Sequence, residues 1–268
     1  MSELNIDLHP AQLQIFNSKK RFKIVAAGRR FGKSYLSAWL LLINAIQSES
    51  KDVFYVGPTF QQAKDIMWAM LKDLGKDLIA QAHENTAVLT LINGRKIYLK
   101  GSDRPDTLRG VGLAYCVLDE YASMKPQVWE QIIRPTLSDV QGGALFIGTP
   151  AGKNHFYDLY KDAFEDEDWD AFQFTSTDNP FIPESEIQAA SKTMSSMSFR
   201  QEFEASFETN SGGIFKEEWF EKSEEPEEGS YVIAVDPAGF ESIEKERNLK
   251  RSRLDETAIA IVKIDRDK

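Results

Sequence analysis

The chain has 268 residues, with 42 Asp and Glu against 32 Lys and Arg and a formal net charge of −10. A hydrophobic share of 42% excludes a disordered chain, and the single cysteine, Cys116, excludes an internal disulfide framework and fits a reducing compartment. The acidic balance argues against coating nucleic acid by bulk charge, because phosphate binding needs Lys and Arg, but it leaves room for a local basic surface.

The N-terminal stretch carries no signal-peptide pattern and no apolar run reaches the length of a membrane span, so the sequence reads as a soluble intracellular protein. In chain order, a helix is predicted at about 10–18 (PAQLQIFNS), then a buried strand RFKIVAA, a glycine-containing loop and a helix at about 33–47. The strand DVFYVGP and a helix at about 60–73 follow. AVLTLI and RKIYLK flank Asn93-Gly94, the pair preferred in a type I′ hairpin. A polar loop, GSDRPDTLRGVG, precedes the apolar strand LAYCVLDE, a helix near 127–133, the strand GALFIGTP and a helix near 154–163. A strand, DAFQFTS, and two helical stretches at 183–193 and 198–207 lead into EEWFEKSEEPEEGS, whose like charges, Pro226 and Gly229 mark an interdomain linker. YVIAVDPAG and ETAIAIVKI read as two strands of a second unit. Strands alternating with helices predict an α/β fold with a mainly parallel sheet covered on both faces.

The clearest chemistry lies in Ala27-Gly28-Arg29-Arg30-Phe31-Gly32-Lys33-Ser34, between an apolar strand and a helix. The pattern is G-x-x-x-x-G-K-[ST], in which backbone N–H groups and a helix N-terminus cradle phosphates, the lysine contacts the β and γ phosphates, and the hydroxyl binds Mg²⁺. Ala27 stands where the pattern has its first glycine and is still small enough for a tight turn. Such a loop needs a metal-supporting acid and a base for water, and an apolar strand ending in acid is their usual source. Asp119 and Glu120 end such a strand, 86 and 87 residues after Lys33. Asp119 would support the metal through its water shell, and Glu120 would polarise the attacking water. Adjacent acids at a strand end point in different directions, which suits two roles, although alone they read equally as solvated carboxylates capping a helix. A carboxylate beside the metal water points to hydrolysis.

These residues resemble the large subunit of the terminase, the ATP-driven motor that packages DNA into the procapsids of tailed bacteriophages and herpesviruses. A-G-R-R-F-G-K-S is similar to its Walker A, V-L-D-E-Y-A to its Walker B and I-G-T-P to its coupling motif. T-D-N-P-F-I-P (177–183) and F-R-Q-E-F-E-A-S-F (199–207) resemble segments that lead to its linker, and Y-V-I-A-V-D-P-A-G resembles the opening strand of its RNase H-like nuclease. The resemblance implies a P-loop NTPase of the ASCE type with a C-terminal helical subdomain at 1–210, an acidic linker at 211–229, and an incomplete RNase H-like domain at 230–268. It implies ATP and Mg²⁺ as cofactors and double-stranded DNA, the procapsid portal and a small terminase subunit as partners. A homo-oligomeric ring, a pentamer in the family, would work in the host cytoplasm, transiently docked on the procapsid, with no membrane involved.

Pro10-Ala11-Gln12 resembles a Q-motif, with Gln12 reading the adenine edge through an amide that donates and accepts at once; without the motif it reads as a solvent-facing helix residue. Arg29 matches the arginine thought to sense the γ-phosphate, and Lys33 and Glu120 keep their general roles. Arg109, eleven residues before Glu120, matches the position of a trans-acting arginine finger, with Arg104 as the competitor. Either arginine alone also reads as part of a surface salt bridge. A finger supplied to a neighbour is worth ~10³–10⁵ in rate and ties activity to a ring. Thr149 would report the state of the γ-phosphate to the DNA-moving segment. Asp236 would open a two-metal nuclease site for Mg²⁺ or Mn²⁺, whose further acids the family takes from later strands. Asp255 is near in sequence but is not assigned as a ligand. The expectation is a chain that is either cut within the nuclease or naturally short, and that lacks nuclease activity. The alternative is a helicase or remodelling-type DNA-dependent ATPase, which would carry a second recombinase-like domain after residue 210. DNA binding itself is visible only in Lys19, Lys20, Arg21 and Lys23, a cluster that also reads as a solvated helix end.

Overall fold

In the computed structural model, which describes residues 6–208, 230–236 and 258–264, the chain divides into two units, Met1–Asn210 and Ser211–Lys268. The first unit is built on β1 (Phe22–Ala27), β2 (Asp52–Gly57), β3 (Ile79–His83), β4 (Val88–Leu91), β5 (Lys96–Gly101), β6 (Leu113–Asp119), β7 (Gly143–Gly148) and β8 (Trp169–Phe174). They form one sheet in the order β3-β4-β5-β2-β6-β7-β1-β8. From β5 to β8 every neighbouring pair is parallel, while β3 and β4 add antiparallel strands at one edge. The helices are α1 (Pro10–Asn17), α2 (Lys33–Gln47), α3 (Phe60–Leu74), a π-helical turn (Val128–Ile133) continuing as α4 (Arg134–Thr136), α5 (His155–Asp162), α6 (Glu184–Thr193) and α7 (Ser196–Phe203).

Successive residues of a strand face opposite sides, and here both sides are covered. On β1, Val25 and Ala27 join an apolar cluster with Ile15, Leu36, Leu41 and Met67, whereas Ile24 and Ala26 join a second with Trp129, Ile133, Phe146 and Phe156. Two-sided burial explains why these strands read as unbroken apolar runs. Cys116 in β6 is fully buried within the second cluster.

The predicted alternation of strands and helices is present, and the departures have local causes. The sequence reading contains no strand at Ile79–His83, because only Ile79 is partly buried and no alternation marks the segment. The Asn93-Gly94 turn is not type I′: of the two, only Gly94 has a positive φ, 81°. Gly94 N–H donates to Leu91 O and Leu91 N–H to Arg95 O (2.8 Å each), a three-residue loop closed by a left-handed glycine. Asn93 instead turns its amide onto the carbonyls of Ala45 and Ile46, 3.0 Å each, capping the end of α2. The polar loop after β5 contains a 3₁₀ turn, Pro105–Leu108, anchored by the buried Leu108. The helix expected over 198–207 begins at Ser196 and stops at Phe203, and Phe207 packs on Phe156, Tyr157 and Tyr160.

In the second unit, β9 (Ser230–Asp236) and β10 (Ala258–Ile264) pair antiparallel, with Asp236 opposite Ala258. The expected acidic linker at 211–229 and Asp255 lie outside the described residues. Among the described residues, no helix is long and apolar enough to cross a membrane.

Candidate active site

Parallel strands deliver their C-terminal ends to one edge of the sheet. Because β6, β7 and β1 are consecutive neighbours, the ends of β6 and β1 stand two strand spacings apart, roughly 10 Å. The predicted phosphate loop follows β1, Thr149 follows β7, and Asp119 ends β6 with Glu120 after it. A cleft of about 460 Å³ joins these ends, lined by Arg29, Arg30, Lys33, Glu120, Thr149 and Glu202 among others.

The loop turns through two left-handed residues, Arg30 (φ 63°) and Gly32 (φ 96°). A Cβ on Gly28 would lie 2.5 Å from the Phe203 carbonyl oxygen, so close backbone approach demands glycine there, while the left-handed φ favours it at Gly32. Ala27 is still the last residue of β1, buried and in register with Phe174, and needs no glycine. Ser34 lies in the first turn of α2, whose leading N–H groups have no acceptor within the helix.

Lys33 Nζ donates to the carbonyls of Ala27 (2.9 Å) and Gly28 (3.2 Å) and to Thr149 Oγ1 (2.9 Å). Burial holds its ammonium below the ordinary lysine range, opposed by Glu120 and Asp119. Asp119 is buried with both oxygens engaged: Oδ2 accepts from the Tyr55 hydroxyl and Oδ1 from the Glu120 N–H (3.0 Å). Burial first, and then the charge of Glu120, raises the Asp119 carboxyl to about 6, against the opposing effects of Tyr55 and Lys33. Glu120 has φ 54°, a conformation that costs a non-glycine residue ~1–3 kcal/mol and concentrates at functional sites. Arg29 pairs with Glu202 of α7, which keeps its guanidinium charged, and its N–H donates to Glu202 O (2.6 Å).

Other candidates lie around the cleft or away from it. Gln12 is buried, not solvent-facing: its Nε2 donates to Gly32 O (3.0 Å) and its Oε1 accepts from His9 N–H (3.2 Å). Both ends of the amide are therefore engaged with the loop and the helix cap, where the sequence reading turned them to a base edge. Neither Arg104 nor Arg109 lines the cleft of their own chain. Arg109 is exposed beside Asp106 (3.7 Å), and Arg104 lines a separate depression with Thr59, Lys100 and Asp103. Lys23 is buried in β1, so the four-residue basic cluster is not one surface.

Two residues of the site escaped the sequence reading. Tyr55 lies in an apolar strand run, and its only signal is that a buried phenol needs a partner. Glu202 is 173 residues from Arg29, and no local pattern joins them. Among the described residues, no three His, Cys, Asp or Glu side chains group as a metal cage. The oxygen donors Ser34 and Asp119 suit Mg²⁺, which keeps waters and phosphates in its shell and needs few protein ligands.

Comparison with known proteins agrees with this geometry. Residues 24–222 match the family described as "Terminase large subunit, T4likevirus-type, N-terminal". The chain is 31% identical over 215 residues to the large terminase subunit of Escherichia phage T5, covering 76% of this chain and 49% of that one. It is 28% identical over 176 residues to that of Thermus virus P23-45, covering 57% and 36%. It thus spans about half, or less, of the length of the curated relatives it matches. Among solved structures, it is similar to the large terminase ATPase domain of Thermus phage P74-26, with a TM-score of 0.66 at 25% identity over 75% of this chain and 94% of that one. With the loop after β1, the acids after β6 and Thr149 after β7 lining one cleft, and the family match spanning all three, the chain belongs to the large terminase subunit family.

Proposed function

We propose that this chain is an ATP-hydrolysing motor subunit that drives double-stranded DNA into a viral procapsid. The observation that carries the reading is the convergence of Lys33, Glu120 and Thr149, from three adjacent strand ends, on one cleft. The P74-26 domain that it resembles is an ATPase domain, which supports the same chemistry here. Lys33 exchanges carbonyl partners for the β and γ phosphates of ATP, and the N–H groups of Gly32, Lys33 and Ser34 complete the cradle. Arg29 leaves Glu202 for the γ-phosphate. Glu120 orients the attacking water and accepts its proton. Ser34 and Asp119 would hold Mg²⁺, which when bound would neutralise charge on the phosphate oxygens. Asp119, each of whose oxygens already accepts from a protein donor, would act through the metal's water shell. Thr149, in contact with Lys33, senses departure of the γ-phosphate. Arg109, or Arg104 in its place, completes a neighbour's site, which makes a homo-oligomeric ring the working form.

Residues 1–210 form the ATPase, 211–229 link it onward, and 230–268 open an RNase H-like nuclease in which Asp236 is a Mg²⁺ or Mn²⁺ ligand. The procapsid portal and a small terminase subunit are the partners, met in the host cytoplasm. Steady-state hydrolysis tests the reading: Glu120→Gln should bind ATP yet turn over at least ~10²-fold more slowly. An unchanged rate refutes it. Mixing Arg109→Ala with Glu120→Gln subunits should recover activity if the arginine is supplied in trans, and no recovery excludes Arg109 as the finger.

A further inference from the structure

Every carbonyl from Ala27 to Gly32 accepts a side-chain hydrogen bond. Lys33 serves Ala27 and Gly28 from the loop's own end. The other four donors come from outside the loop. Ser176 Oγ donates to Arg29 O (2.6 Å), Asn179 Nδ2 to Arg30 O (2.7 Å), His9 Nε2 to Phe31 O (2.9 Å) and Gln12 Nε2 to Gly32 O (3.0 Å). We propose that His9, Gln12, Ser176 and Asn179 are positioning residues that grip the phosphate loop by its carbonyls and so turn its N–H groups toward the phosphates of the bound nucleotide. The inference rests on the ATPase reading and adds to it the residues that shape the loop.

Within a trans peptide the C=O and the following N–H point in opposite directions. Pinning the carbonyls of residues 29–32 therefore fixes the N–H directions of residues 30–33: that of Phe31 turns back onto Gly28 O (3.3 Å) and closes the turn, which leaves those of Arg30, Gly32 and Lys33 for the anion-binding concavity. Three of the four donors are themselves oriented. Asn179 Oδ1 accepts from Phe181 N–H (2.9 Å), which leaves Nδ2 to face Arg30. Gln12 Oε1 accepts from His9 N–H (3.2 Å), which leaves Nε2 for Gly32. His9 Nδ1 accepts from Gln12 N–H (3.4 Å), so the ring proton sits on Nε2, aimed at Phe31 O. The His9 ring also packs edge-on against the Phe31 ring, with centroids 5.1 Å apart. The grip falls where the backbone is least relaxed: Arg30, with φ 63°, keeps a left-handed conformation that persists only when its surroundings impose it. Two donors belong to the start of α1 and two to the turn after β8, so the loop is held from both flanks.

A loop held ready for phosphate binds ground state and transition state alike, so its loosening raises KM and leaves kcat in place. The test uses the full chain with Asn179→Asp, which keeps shape but sets an acceptor against Arg30 O, and with His9→Phe, which keeps the packing on Phe31. ATP turnover gives kcat and KM, fluorescent ADP titration gives Kd, and thermal melting gives stability. KM for ATP and Kd for ADP should rise about 5–30-fold in His9→Phe, which loses a buried hydrogen bond, and about 2–10-fold in Asn179→Asp, which loses an exposed one, with kcat within about twofold of wild type in both. Unchanged KM and Kd overturn the proposal, as does a fall in kcat or melting temperature with KM unchanged, the pattern of a merely structural role. A wild-type chain that binds neither nucleotide overturns the ATPase reading itself, and is seen before any variant is compared.

Discussion

Replacing Asp119 by Asn removes a charge that the fold holds at a disadvantage. The carboxyl titrates at about 6 in place of 3.8, because it is buried and stands beside Glu120. The folded protein therefore holds this proton more tightly than the unfolded chain. Stability falls as pH rises from about 4 to about 6, and above that the whole penalty is in force. At ~1.4 kcal/mol per tenfold, the gap corresponds to about 3 kcal/mol. Asparagine keeps an oxygen for the Glu120 N–H and turns its amide nitrogen to the Tyr55 hydroxyl, which accepts where it formerly donated. The loss of two charge-assisted bonds trims the net gain to about 1–3 kcal/mol at about pH 8, a rise of roughly 2–10 °C in Tm for a unit of this size. Urea unfolding in EDTA, from about pH 4 to about pH 8.5, reads the difference directly. Asp119→Asn should be the more stable protein above about pH 6.5, with the advantage vanishing toward pH 4, while its ATP turnover is lost. A variant less stable than wild type at pH 8, or an advantage that does not change with pH, would refute the reasoning.

Lys23 shows the opposite pH window. Burial in β1 lowers its ammonium to about 8 against a partial restoring effect of Asp170, so the folded state releases this proton before the unfolded chain does. Lys23→Met should raise unfolding free energy by about 2–3 kcal/mol at pH 7, and the gap should close between about pH 8 and 10.5; a gap that persists at pH 11 counts against the assignment. Tyr55→Phe leaves Asp119 Oδ2 without its donor. Above about pH 7 it should cost about 1.5–3 kcal/mol, but under half of that in an Asp119→Asn background, and additivity in this double-mutant cycle would dissociate the pair. Glu202→Gln frees Arg29, whose side chain is 66% exposed, so the ion pair contributes little to stability. Affinity for ATP-γ-S should rise about 1.5–5-fold with ADP unchanged, whereas an equal shift for both nucleotides would show that Glu202 does not compete with the γ-phosphate.

The order of strands and helices, and the loop and acids at their ends, were legible because buried parallel strands and helix-leading glycines leave local patterns. Lys33 could be placed at the start of the helix after β1, and Asp119, Glu120 and Thr149 at strand ends, and a mainly parallel sheet then carries them to one edge. What stayed hidden depends on neighbours across the sheet. Tyr55 meets Asp119 only because β2 lies beside β6, and as sequence it is one more aromatic residue in a buried run. The Q-motif resemblance set Gln12 at the adenine edge and gave no sign of its bond to the Gly32 carbonyl, and Ser176 and Asn179 reach the loop from about 150 residues away. β3 escaped because an edge strand with one partly buried residue has no pattern to show.

The three oxygens around Lys33 bear on how fast a motor can cycle. An ammonium that already has Ala27 O, Gly28 O and Thr149 Oγ1 as partners gains from a phosphate only the difference between two sets of bonds. When ADP departs, the lysine returns to ready acceptors instead of standing desolvated in a buried position. On the proposed ATPase reading, the same three oxygens would moderate nucleotide affinity and ease product exit, the step that limits turnover in many enzymes. The means for it would lie in the loop's own covalent sequence: a lysine just long enough to reach back to the strand end from which its loop begins.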